Sequence, residues 1–64
     1  MFYGSVEAAQ AGASERRAEG HSVFFVDYNS SDMDDLIEAV EEEGWSLEKM
    51  SYSDPSAWLL FRAV

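Results

Sequence analysis

The residues whose types could do chemistry are His21, the acids Asp32, Asp34 and Asp35, the pair Glu38 and Glu41, and the serines Ser51 and Ser53. His21 is the single histidine and there is no cysteine, so a zinc site would have to draw its other ligands from carboxylates elsewhere in the fold. It reads instead as an exposed loop position after Gly20. The three aspartates look superficially like a calcium loop, but the alternating acids, the central glycine and the closing glutamate are out of register. Acids in the first turn of a helix face the positive end of its dipole, and that accounts for them better. Ser51 and Ser53 have no histidine or lysine at a spacing that would make either hydroxyl a nucleophile. Glu38 and Glu41 could act as a general acid–base pair, but no apolar pocket is visible that would drive their pKa values apart. Gly4, Gly12, Gly20 and Gly44 are scattered singly, so no phosphate-cradling loop precedes a helix. The expectation is a chain with no catalytic residue, no metal and no cofactor.

Two features point to binding instead. Glu41, Glu42 and Glu43 close a helix with three acids at the negative end of its dipole, where each costs on the order of 0.3–1 kcal/mol at low salt. They form either a solvated face or, with Glu38, a docking patch for a basic partner. The second feature is an excess of large apolar groups in the last strand. Trp58, Leu60 and Val64 alternate to one side, Leu59, Phe61 and Ala63 to the other. One helical layer covers one sheet face. The other face is either covered by the first helix or exposed for pairing, and a homodimer through Trp58 and Leu60 is the favoured expectation.

The elements that must position these residues belong to a single domain, residues 1–64. At this size most scaffolds need a staple, a metal or a partner, and without cysteine a disulfide is excluded. Nine aromatic residues argue for a folded chain, and 13 acids against 4 bases, a net charge of −9, disfavour direct nucleic-acid binding. No stretch approaches the roughly 20 apolar residues of a membrane span and no basic, apolar leader opens the sequence, so the reading is cytoplasmic.

Met1 to Tyr3 reads as a very short strand or an anchored tail. Ser5 is placed to cap a helix over 5–18, whose apolar face of Val6, Ala9 and Ala13 is narrow and which Gly12 weakens by about 1 kcal/mol. Gly20 suits its stop. Residues 22–28 carry the continuous run Val23-Phe24-Phe25-Val26, a strand with much of both faces covered. Ser30 or Ser31 caps a second helix over 31–43, with the stripe Met33, Leu36, Ile37 and Val40 and a stop at Gly44. Strands at 46–53 and 57–63 form a hairpin through a turn at Asp54-Pro55-Ser56-Ala57. That turn implies pairing of Tyr52 with Leu59, Met50 with Phe61, Lys49 with Arg62 and Leu47 with Val64, with a like-charge opposition at Lys49. The helical crossover makes the strands at 22–28 and 46–53 parallel, and the fully apolar last strand fits between them. The fold class is α+β: an N-terminal helix, then a split β-α-β-β unit whose three-stranded, mainly antiparallel sheet has the C-terminal strand central.

The sequence Gly44-Trp45-Ser46-Leu47, with the acidic helix before it and Phe61-Arg62 near the end, resembles a small bacterial and phage family of uncharacterised β-α-β-β domains marked by a Gly-Trp-Glu-Leu motif. The likeness spans Val23 to Arg62; serine stands where the motif has glutamate, and the helix over 5–18 is outside the pattern. The resemblance implies the fold and no activity. The expected function is therefore a non-enzymatic protein-protein interaction or regulatory module. The alternatives are an acidic nucleic-acid mimic that blocks a basic groove and a structural subunit of a larger assembly.

Overall fold

The computed structural model describes residues 2–29, 31–53 and 56–64, the side chains of Phe2 and Ser53 excepted. Helix α1 spans Val6–Ala18 and starts where Ser5 predicts: the Ser5 Oγ accepts the Ala8 N–H at 3.1 Å. It stops at Gly20, whose φ of +84° suits a residue without a Cβ. The Gly20 N–H reaches the Arg17 carbonyl and the His21 N–H the Arg16 carbonyl, both at 3.1 Å, the double bond pattern of a Schellman stop. Strand β1, the pair Phe2–Tyr3, runs parallel to strand β2, Val23–Tyr28, so α1 is a crossover between neighbouring strands. Met1 lies outside the described residues.

Gly12 has a packing reason that helix propensity does not reveal. A Cβ there would lie 2.5 Å from the Tyr3 Oη and 2.8 Å from two ring carbons. The narrow face of α1, with Ala9 and Ala13 fully buried, is what lets the Tyr3 ring lie against the helix backbone.

Helix α2 spans Met33–Glu42, and its N-cap is Asp32, not Ser31; Ser30 lies outside the described residues. Asp32 makes no capping bond through its side chain, because its Oδ1 accepts from the Tyr28 hydroxyl at 2.7 Å. Tyr28 is buried, and a buried phenol must place its O–H somewhere. The expected apolar stripe is present, with Leu36, Ala39 and Val40 buried and Met33 and Ile37 packed at its edge. Gly44, at φ +95°, ends the helix and donates to the Glu41 carbonyl at 3.2 Å.

Strands β3, Trp45–Ser53, and β4, Ser56–Ala63, complete a sheet in the order β1-β2-β4-β3. The C-terminal strand is central among the three long strands and antiparallel to both neighbours, as the sequence predicts. The register differs from the expected one. Tyr52 pairs with Ala57, Met50 with Leu59, Lys49 with Leu60 and Leu47 with Phe61. The ladder continues up to Ser53 opposite Ser56, so Ser56 and Ala57 belong to the strand and not to a turn; Asp54 and Pro55 lie outside the described residues. An irregularity between Leu47 and Lys49 inserts Glu48 as an extra residue. Together these remove the opposition of Lys49 and Arg62.

Both helices pack on one face of the sheet, in a core of Tyr3, Phe24, Val26, Tyr28, Ala57, Leu59 and Phe61 beneath Ala9, Ala13, Leu36 and Val40. Trp45, 2 % exposed, joins the layers by donating its indole N–H to the Ala13 carbonyl at 3.0 Å. The molecule has two layers, and the second face of the sheet is open. The strand at 22–28 is therefore not covered on both faces: its burial alternates, with Phe24, Val26 and Tyr28 inside and Val23 and Phe25 outside. A continuous apolar run satisfies a two-layer sheet equally well when the outer face is itself apolar.

Candidate interaction surface

The residues singled out in the sequence fall on two separate layers. Glu38, Glu41 and Glu42 are exposed on α2, while Trp58 and Leu60 lie side by side on the open sheet face. They do not form one site.

On the helical side the acids are partly answered. The half-buried Glu43 accepts from the Gln10 Nε2 at 3.0 Å, and the Leu47 N–H meets the Glu41 Oε2 at 3.5 Å. Helix α2 has no base in its own last turn. Arg17 of α1 supplies one: its Nε donates to the Gly44 carbonyl at 3.2 Å and its Nη2 to the Val64 carbonyl at 2.6 Å. A guanidinium beside the negative end of a helix opposes the unfavourable dipole there. Arg17 also stands in the last turn of its own helix, where a positive charge needs no second explanation; the available signal for its role here was an acidic helix end with no local base.

The open sheet face is ordered by the ladder. Across it, Val23 sits beside Arg62, which sits beside Ser46; Phe25 beside Leu60, then Lys49; Asp27 beside Trp58, then Ser51. Phe25 and Trp58 stack diagonally, ring centroids 5.8 Å apart and planes 22° apart. Val23, Phe25 and Trp58 remain 41 %, 43 % and 39 % exposed, and Leu60 is half-buried. Val23 and Phe25 were missed as surface residues because their run is continuous; reading every second position would have placed them beside Trp58. Met50 and Tyr52 pair with the inward-facing Leu59 and Ala57, yet both are exposed at the far end of β3.

The rim of this face is charged in both signs. The extra residue Glu48 grips Arg62 with both carboxylate oxygens, each at 3.0 Å, to Nε and Nη2. That hydrogen-bonded partner, with smaller help from Lys49, holds the Glu48 carboxyl below its ordinary range and raises the Arg62 guanidinium. Asp27, Glu48, Lys49 and Arg62 sum to zero on this face. Removing these 2 acids and 2 bases from the 13 and 4 of the chain leaves 11 acids and 2 bases, so the whole net charge of −9 resides elsewhere. Ten of those acids belong to the two helices and their caps, and Asp54 lies outside the described residues.

The residues weighed for chemistry are placed apart. His21 is exposed, with its Nε2 3.3 Å from Glu19. Asp34 and Asp35 sit in the first turn of α2, and Ser51 is exposed on the open face. Among the described residues no group of acids and histidine is arranged to hold a metal ion, and no enclosed cavity is formed. No helix among them is long and apolar enough to cross a membrane. Comparison with protein-family models, curated proteins and solved structures gives no match to this chain.

Proposed function

We propose that the chain is a small cytoplasmic protein-binding module, of the bacterial or phage kind its Gly-Trp-Ser-Leu stretch resembles, that acts without catalysis by seating a protein on its open sheet face. The observation that carries this reading is the stacked, exposed pair Phe25 and Trp58, flanked by Val23 and Leu60 inside a rim of balanced charge. Contiguous exposed aromatics ringed by polar groups are the composition of an interface centre, where a few large side chains supply most of the binding energy. The test is site-specific photocrosslinking in living cells, with a benzophenone amino acid placed at position 25 or 58 and, as control, at position 42. Discrete protein adducts at 25 or 58 but not at 42 support the reading. Adducts confined to 42 sink it.

A second reading rests on the other layer. The exposed Asp34, Asp35, Glu38, Glu41 and Glu42 give α2 a nearly uniform negative surface, the feature an acidic nucleic-acid mimic would offer to a basic groove. Its adducts would form at position 42 and fade as ionic strength rises.

A further inference from the structure

We propose that the protein seated on the open sheet face is a second copy of this chain, held face to face about a twofold axis that runs along β4. This rests on the reading of that face as an interaction surface and says what occupies it. The first ground is the partition of charge. Two copies, each at −9, repel wherever helical surfaces approach, whereas the sheet face carries no net charge. It is the surface on which two copies can meet at least electrostatic cost.

The second ground is self-complementarity. Asp27 and Lys49 flank β4 on opposite sides and in adjacent rungs, Asp27 beside Trp58 and Lys49 beside Leu60. A twofold along β4 lays β2 of each copy over β3 of the other. Asp27 then lies opposite Ser51 of the other copy, one rung, or roughly 7 Å, from its Lys49, within a lysine side chain's reach. Symmetry makes this contact twice. The same operation puts the Phe25 ring over the Lys49 ammonium of the other copy, a cation–π arrangement, and leaves Trp58 and Leu60 on the axis facing their own copies. Rotation about an axis across the strands would instead place β2 over β2 and β3 over β3, bringing acid toward acid and base toward base across the interface.

The third ground is area. Three strands about 4.8 Å apart and some 7 residues long, with the reach of their side chains, present on the order of 500 Å² per copy. The roughly 1,000 Å² buried in total lies at the lower limit for a specific interface, and predicts a dissociation constant in the micromolar range.

Sedimentation equilibrium of the full chain, from about 1 to 500 μM, tests the proposal, with far-UV circular dichroism confirming that each variant folds. A dimer is expected for the natural sequence. Trp58→Arg should abolish it, and Asp27→Lys or Lys49→Asp alone should weaken it about tenfold. The double variant D27K/K49D should return to within about threefold of the natural value, because the exchanged charges again face each other. A strict monomer throughout the range overturns the second copy as occupant and leaves the sheet face open to a different protein. A dimer that Trp58→Arg and Phe25→Arg leave intact overturns the second copy as occupant of this face, since the copies would then meet elsewhere; the sheet-face reading itself falls only if crosslinks at positions 25 and 58 are absent. A dimer broken by Trp58→Arg but indifferent to the charge exchange overturns the twofold along β4.

Discussion

Gly44 carries two constraints and Gly20 only one, and the difference can be measured. Both have positive φ, so alanine at either is strained by about 1 kcal/mol. At Gly20 an added Cβ meets nothing within 4 Å, whereas at Gly44 it would sit 2.9 Å from the Arg17 Nε. Gly44→Ala should therefore cost about 1 kcal/mol more than Gly20→Ala in urea unfolding, and an Arg17→Ala background should equalise them. Glu48 gives a pH signature. Its folded pKa is depressed below the ordinary 4.5, so its contribution is present above that value and is lost as pH falls through the depressed one. Glu48→Gln should therefore lower stability at pH 7 and flatten the acid limb of the stability curve, so that the two proteins converge as pH falls well below 4.5. Tyr3 acts at the other extreme: burial raises its phenol above 10.0, so stability should fall as pH rises past 10.0, and less so in Tyr3→Phe. Ser5, Gly20 and Gly44 were legible in the sequence because caps are local events. Arg17 and the Tyr3–Gly12 contact were not, since each joins residues that only the folded chain brings together.

Among the elements, β3 and α1 are tied through one side chain. Trp45 fills the core where the sheet meets both helices and bonds the Ala13 carbonyl. Trp45→Phe keeps most of the packing and should cost about 1–2 kcal/mol, while Trp45→Ala should cost about 3–5. A domain of this size has roughly 3–10 kcal/mol in total, so the alanine variant should leave little cooperative unfolding to observe by calorimetry. The identity and order of the elements, and the central place of β4, could be read from periodicity, from the stop glycines and from the crossover rule. The hairpin register could not. It depends on how far the ladder runs toward residues 54 and 55 and on the extra residue Glu48, and no local preference announces an irregularity whose reward is a distant arginine. The covering of β2 was misread for a related reason: periodicity reports apolar character, and that does not distinguish a buried face from an exposed one.

At the scale of the whole molecule, composition states a charge of −9 and the fold decides where it lies. The candidate residues were legible as individuals, but only the layer arrangement separates Glu38, Glu41 and Glu42 from Trp58 and Leu60. One consequence concerns salt. If copies meet through the neutral face, ions screen the repulsion between the two acidic bodies more than they weaken the pairs at the rim, so self-association should tighten from 50 to 500 mM NaCl, to about the Debye lengths where such repulsion is lost. A complex made through the α2 acids with a basic protein should loosen over the same range. Analytical ultracentrifugation at the two salt concentrations distinguishes them.

The two tryptophans are placed so differently that the molecule carries two optical reporters of its own. Trp45 is 2 % exposed and its indole is tied to a helix carbonyl, so its emission should be blue and should shift red only when the layers separate. Trp58 is 39 % exposed on the sheet face, so it should emit further to the red, be open to a collisional quencher, and lose that access when the face is covered. Unfolding and docking can thus be followed in one unlabelled sample: the first through the blue component, the second through the quenchable one.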